Sequence, residues 1–192
     1  MPGRIVLQQA DIARALTRIA HEILESNRGA DDLVILGIPT RGVLLAGRIA
    51  SIIRDISGEP VEYGALDVTL YRDDLARNPV RALSPTSVPA GGIDGKTVVL
   101  VDDVLYSGRT IRAALDALGA VGRPRIVRLA ALIDRGHREL PIRPDFVGKN
   151  LPSAQGERIY VRLLETDGEE FVSIDSTNND GGNAASTKEP TA

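Results

Sequence analysis

The sequence predicts an α/β fold, a doubly wound and mainly parallel sheet flanked by helices, and three observations carry that prediction. Short apolar runs that suit buried strands alternate along the chain with segments whose apolar residues recur at helical spacing. The run Val98-Val99-Leu100-Val101 leads into Asp102, Asp103 and then Ser107-Gly108-Arg109-Thr110, at the carboxyl end of a strand where open α/β sheets place ligands. A chain of 192 residues with 43% hydrophobic content suits one such domain and is short for two.

Element by element, Asp11 can cap a first helix whose Ile12, Leu16, Ile19 and Ile23 form one stripe and which ends near Asn27 to Gly29. Leu33 to Ile38 is a short apolar strand. Thr40-Arg41-Gly42 turns into a second helix carrying Leu44, Leu45, Ile49, Ile52 and Ile53, which stops before Gly58-Glu59-Pro60. A strand from about Val61 to Leu70 follows. Residues 71–96 hold three Pro and three Gly with little periodicity, the character of a flexible lid loop. After the Asp102-Asp103 segment, Ile111, Leu115 and Leu118 repeat at helical spacing, and strands are expected near Ile126 to Asp134, Asp145 to Leu151 and Glu157 to Leu164. From Asp167 onward the chain is poor in large apolar residues, so 1–166 read as a single domain and 167–192 as a mostly disordered tail.

Composition excludes several classes. Cysteine is absent, so neither a disulfide framework nor thiolate chemistry is expected. No apolar run is long enough to span a bilayer and the N-terminus lacks the regions of a signal peptide, so a cytoplasmic protein without membrane partners is expected. A formal net charge of −3 does not advertise a polyanion partner. Gly95-Lys96-Thr97 resembles the end of a Walker A loop, but position 90 is Ala and the triplet precedes a strand.

The chemistry concentrates at residues 102–110. Two adjacent carboxylates can accept hydrogen bonds from a vicinal diol. Behind them, the free amides of a helix's first turn, a glycine without Cβ and the Ser107 and Thr110 hydroxyls suit a phosphate. A ribose 5-phosphate fits that layout, although spacing alone equally allows an Asp-rich turn and a capped helix with no ligand. Thr40-Arg41-Gly42 lies at a second strand-to-helix junction, either an ordinary turn or a second anion site. Arg72 and Arg81 are the cationic candidates on the lid.

The segment VVLVDDVLYSGRT resembles the 5-phosphoribosyl-1-pyrophosphate (PRPP) motif of type I phosphoribosyltransferases. Together with ALTRIAHEILESN (15–27), Thr40-Arg41-Gly42, LYRDDL (70–75) and DRGHRELPIRPDFVGKN (134–150), it resembles the PyrR family of pyrimidine-operon regulators and uracil phosphoribosyltransferases, over roughly residues 4–165. That resemblance implies a small hood beside the sheet and a mobile lid. It also implies PRPP and nucleotide binding through Thr40, Arg41, Arg81, Asp102, Asp103, Val104, Leu105, Tyr106, Ser107, Gly108, Arg109 and Thr110. Asp102, Asp103 and Arg41 would be catalytic, groups near Arg135 and Ile159 would read uracil, and Mg²⁺ would come with PRPP and leave with pyrophosphate; no protein metal ligands are expected. A homodimer or homotetramer is implied. Residues 71–95 contain no Lys, which argues against an orotate enzyme.

An RNA partner is also implied, the leader mRNA of pyrimidine genes, sensed with UMP. From Val121 to Arg162 nine Lys or Arg face four Asp or Glu, a local net of +5. Thr17 and His21 are four residues apart, opposite the apolar stripe of the first helix. By the resemblance Thr17, His21, Arg138, Arg143 and Lys149 are the expected RNA contacts, reading an unpaired loop. Ser26 stands where members of the family can carry a basic residue. The alternatives are a uracil salvage enzyme without RNA regulation and a purine phosphoribosyltransferase.

Overall fold

The computed structural model describes residues 3–73 and 84–176. The elements run β1 (Arg4–Gln8), α1 (Gln9–Asn27), β2 (Leu33–Gly37), α2 (Arg41–Ser57), β3 (Glu62–Ala65), a 3-10 turn (Thr69–Tyr71), β4 (Thr97–Leu105), α3 (Arg109–Val121), β5 (Ile126–Asp134), β6 (Phe146–Asn150), β7 (Glu157–Arg162), α4 (Leu164–Asp167) and β8 (Phe171–Ser176). Five strands form a parallel sheet in the order β3-β2-β4-β5-β6.

Strand residues alternate between two cores, as the period of two requires. Leu33, Ile35, Val99 and Val101 pack with the stripes of α1 and α2, while Val34, Leu36, Val98 and Leu100 pack with Ile111, Ala114 and Leu118 of α3. Helices therefore cover both faces, the doubly wound arrangement that the alternation of the chain predicts. α1 starts two residues before Asp11, whose carboxylate instead accepts the Gln8 N–H from inside the first turn. α2 ends before Gly58, as expected.

Three boundaries differ from the expectation. β4 does not end at Val101 but continues to Leu105, because β5 runs alongside it and pairs Val104 with Ile133 and Leu105 with Asp134. The strand expected from Val61 to Leu70 stops at Ala65: Ser87 pairs with Ala65, and the Asp67 carboxylate accepts the Thr69 and Ser84 amides, which turns the chain. The tail expected from Asp167 instead begins with an ordered element. β8 is the central strand of a second, antiparallel sheet, β1-β8-β7, the hood beside the parallel sheet. Of the lid, 74–83 and with it Arg81 lie outside the described residues.

Candidate functional site

Two polar cavities open at the carboxyl ends of the parallel strands. The first, about 220 Å³, is lined by Arg72, Asp73, Asp102 and the stretch Val104 to Ile111. The second, about 250 Å³, is lined by Pro39, Thr40, Asp67, Val68, Thr69, Arg72 and Ser84. Arg72 belongs to both walls, and its Nη1 lies 3.5 Å from the Thr110 hydroxyl.

The first cavity follows from local sequence. Gly108 has φ +92°, a conformation that costs any residue with a Cβ, and Ile142 stands 3.4 Å from where that Cβ would lie. The first intrahelical bond of α3 runs from the Arg112 N–H to the Gly108 carbonyl, so the amides of residues 109–111 have no acceptor within the helix. The Arg109 amide points to the Ser107 hydroxyl. Asp102, buried, and Asp103, half-buried, lie on β4 where it reaches the cavity, and Asp102 accepts the Asp103 N–H while Asp103 accepts that of Val104.

The second cavity depends on a close approach. A Cβ on Gly42 would sit 2.4 Å from the Val101 carbonyl oxygen, so glycine lets the start of α2 press against β4 one residue before Asp102. The Ile38 N–H also bonds the Val101 carbonyl, and the Pro39–Thr40 peptide bond is cis. The two turns singled out from the sequence thus meet at the end of one strand.

Several expected site residues are bound to partners within the chain. Arg41 is not part of either cavity wall among the described residues; its Nη2 pairs with both carboxylate oxygens of Asp167 in α4, at 2.8 and 3.1 Å. Burial pushes the Asp167 carboxyl up, but the Leu163 amide and Arg41 outweigh it and leave its pKa below the ordinary value. Arg41 therefore fastens α2 to the hood. Arg48 adds to that clasp, pairing with Glu165 and with Glu170. Arg109 reaches Glu139 and Asp73 at 2.5 and 2.6 Å, which hold its guanidinium charged.

Arg135 is buried beneath Tyr106, its guanidinium carbon 4.3 Å from the ring centroid, and it donates to the Ala154 carbonyl. His137 caps the same corner, edge-on to Tyr106 and bonded to the Ser153 carbonyl. Ile159 is half-buried on β7 in the hood. The side chain of Arg135 thus ties the end of β5 to the loop before β7.

A separate cationic face lies on α1 and β6. Arg18 donates to the Val147 and Gly148 carbonyls, at 3.0 and 2.6 Å, and so joins the helix to the edge strand. Exposed Thr17 and His21 line a shallow groove with Arg14 and Arg18, and Lys149 is close enough to help lower the Asp11 pKa, after the larger effect of the Gln8 amide. Arg14 and Arg18 were missed from sequence, although their spacing from Thr17 and His21 was the available signal. Arg143 is exposed before β6. Arg138 departs from this set: it is half-buried and donates to the Tyr106, Gly136 and Ile142 carbonyls and to Asp134.

Comparison with known proteins agrees with this architecture. A family model described as "Phosphoribosyl transferase domain" matches residues 4–165. The chain is 72% identical over 180 residues to the bifunctional protein PyrR of Leifsonia xyli subsp. xyli, covering 91% of this chain and 98% of that protein. It is 62% identical to the bifunctional protein PyrR of Streptomyces coelicolor, over 88% of each chain. In fold it is similar to the hypoxanthine phosphoribosyltransferase of Trypanosoma cruzi, with TM-score 0.67 and 19% identity over 89% of this chain and 95% of that one.

Proposed function

The chain belongs to the PyrR family of phosphoribosyl transferase domain proteins, and from that premise we propose that it makes UMP and pyrophosphate from uracil and PRPP and binds pyrimidine leader mRNA with UMP as the signal. The observation that carries the enzymatic half is the pair of polar cavities sharing Arg72, with Asp102 on the wall of the first. A sugar bearing a phosphate at one end and a diphosphate at the other needs two such sites. Its 5-phosphate suits the amides of residues 108–111, its hydroxyls suit Asp102 and Asp103, and its diphosphate suits the Thr40 turn and Arg72.

In the reaction a uracil nitrogen forms a bond to sugar C1 while the C1–O bond to pyrophosphate breaks, and the proton of that nitrogen is released. Asp102 and Asp103, beside the ring, favour its cationic character, while the Thr40 turn and Arg72 stabilise the leaving group. Positioning supplies most of the remaining rate, with Arg41 acting indirectly through the hood. Among the described residues no group of three or more His, Cys, Asp or Glu could hold a metal ion. Mg²⁺ would come as a complex with the diphosphate, where it would neutralise the leaving charge.

The RNA half rests on the face formed by Arg14, Thr17, Arg18, His21 and Lys149, with Arg143 beside it in sequence. Two or more copies of the chain, as the family resemblance implies, would repeat that face. No helix among the described residues is long and apolar enough to cross a membrane. Turnover of uracil measured beside hypoxanthine and guanine tests the enzymatic reading: UMP formation from PRPP supports it, and preference for a purine overturns it. A salvage enzyme without regulation would make UMP yet bind leader RNA no better than scrambled RNA.

A further inference from the structure

We propose that Asp67 is a positioning residue for the diphosphate end of the substrate: its carboxylate splices two separate stretches of chain into the wall of the second cavity. The inference deepens the proposed function and rests on its reading of that cavity as the diphosphate site.

Asp67 stands just past the end of β3, where the Leu66 N–H still donates to the Gly37 carbonyl at the end of β2, at 3.0 Å. Leu66 and Val68 are buried in the core with Ile38. The residue between them is held from both sides and lies at the cavity, whose wall it shares with Thr40, Thr69, Arg72 and Ser84.

Its bonds run in two directions along the sequence. Oδ1 accepts the Thr69 amide at 3.0 Å and the Thr69 hydroxyl at 2.6 Å, and so starts the 3-10 turn of Thr69–Tyr71. That turn delivers Arg72, which borders both cavities and lies beside Thr110, at the helix start that follows the phosphate loop of residues 105–108. Oδ2 accepts the Ser84 amide at 3.1 Å, while the Asp67 N–H donates to the Thr86 hydroxyl at 3.1 Å. Two residues earlier, Ala65 and Ser87 exchange backbone bonds at 2.9 and 2.8 Å. One carboxylate thus holds the outgoing turn and the returning stretch 84–87 together where they meet the Thr40 turn.

A carboxylate on the wall of a diphosphate site calls for a reason, since its charge opposes the ligand. The reason is geometric: a carboxylate accepts on both of its sides, whereas an amide accepts on one and donates on the other. Asn in this place keeps the Thr69 bonds and sets its NH₂ against the Ser84 N–H, or the reverse, so the splice opens. The sign of the effect separates the two roles. Were Asp67 only a charge, its neutralisation would tighten the diphosphate; as a splice, its loss lets Thr69, Arg72 and Ser84 drift apart and weakens it.

The test is calorimetric binding of PRPP and of UMP, each with Mg²⁺, for the full chain and for Asp67→Asn, Asp67→Ala, Thr69→Val and the surface control Arg54→Ala, with steady-state UMP synthesis alongside. UMP carries no diphosphate and, on the proposed reading, leaves the second cavity unfilled. The expected result is PRPP binding weaker by about tenfold in Asp67→Asn and more in Asp67→Ala, with KM for PRPP rising in parallel and with UMP affinity and KM for uracil steady. Thr69→Val loses about threefold by itself, and less when Asp67→Ala is already present, because the two share one bond. Arg54→Ala changes nothing. Should Asp67→Ala not fold, the near-isosteric Asp67→Asn decides by the same readout. PRPP affinity equal to or tighter than wild type in folded Asp67→Asn overturns the proposal, as does an equal loss for PRPP and UMP. Wild-type protein that fails to bind PRPP defeats the diphosphate reading and the proposal with it. Wild-type protein that binds PRPP without consuming uracil defeats the uracil reading alone, and the PRPP affinities still decide the role of Asp67.

Discussion

The phosphate loop and the α1–β6 face are both rich in arginine, but they use it in opposite ways. Around the loop, Arg138 and Arg135 are half-buried or buried and are bound to carbonyls, a carboxylate or an aromatic ring of their own chain. On the other face the Arg14 and Arg18 side chains are 72% and 50% exposed, Arg14 paired with Asp11 and Arg18 with Glu22 and with the Val147 and Gly148 carbonyls of β6, and His21, Lys149 and Arg143 are exposed. An exposed ion pair contributes about 0–1 kcal/mol and yields readily to a phosphate, whereas a half-buried, multiply bonded guanidinium does not. The lesson is that positive charge counted along a sequence mixes two populations, one bound within the chain and one exposed at its surface.

The largest expected effect breaks the loop side of this comparison at its chemistry. Asp102→Asn should lower kcat/KM for UMP synthesis by on the order of a hundredfold, about 2.7 kcal/mol, while RNA affinity measured without nucleotide stays near wild type. Equal losses in both assays would mean that the two surfaces are not separate. Next comes the backbone of the loop. Gly108→Ala forces a side chain into a left-handed conformation at a strain of roughly 1–2 kcal/mol, so the melting temperature should fall by about 3–6 °C and KM for PRPP should rise.

On the opposite face, Lys149→Ala should weaken leader RNA several-fold and reduce the slope of log affinity against log salt by about 1. An unchanged slope would remove Lys149 from the interface. The smallest effect concerns the hood. The Asp167 pKa is depressed by its net surroundings, so its contribution to stability is present above the ordinary carboxylate value and is lost as pH falls through the folded one. Thermal melts below about pH 4 should therefore show a shallower acid loss in Asp167→Asn than in wild type; identical acid limbs would deny the clasp to Arg41.

What was legible in the sequence was local. Residues 102–110, the stripes of α1 and α2 and the turn at Thr40 declare themselves through periodicity and turn chemistry within a few residues. Of the hood, which the family resemblance implied and whose β7 was expected near Glu157 to Leu164, β1 and β8 did not declare themselves, because they pair residues as distant as Arg4 and Ile174, and β8 stands beside a polar stretch that suggested a tail. β4 was read too short because two carboxylates interrupt its apolar pattern although β5 continues to pair with it. The partners of Arg41 and Arg138 could not be read at all. Which acceptor a long cation finds is decided by tertiary packing, and both found partners in their own chain.

The account stands most directly on one measurement: binding of the full chain to the leader RNA of its own pyrimidine genes at fixed salt, with and without UMP. Tighter, loop-specific binding with UMP is predicted, and RNA must then tighten UMP by the same factor. Affinity no better than for scrambled RNA, and indifferent to UMP, would contradict it and leave a transferase whose cationic face on α1 and β6 is solvated surface.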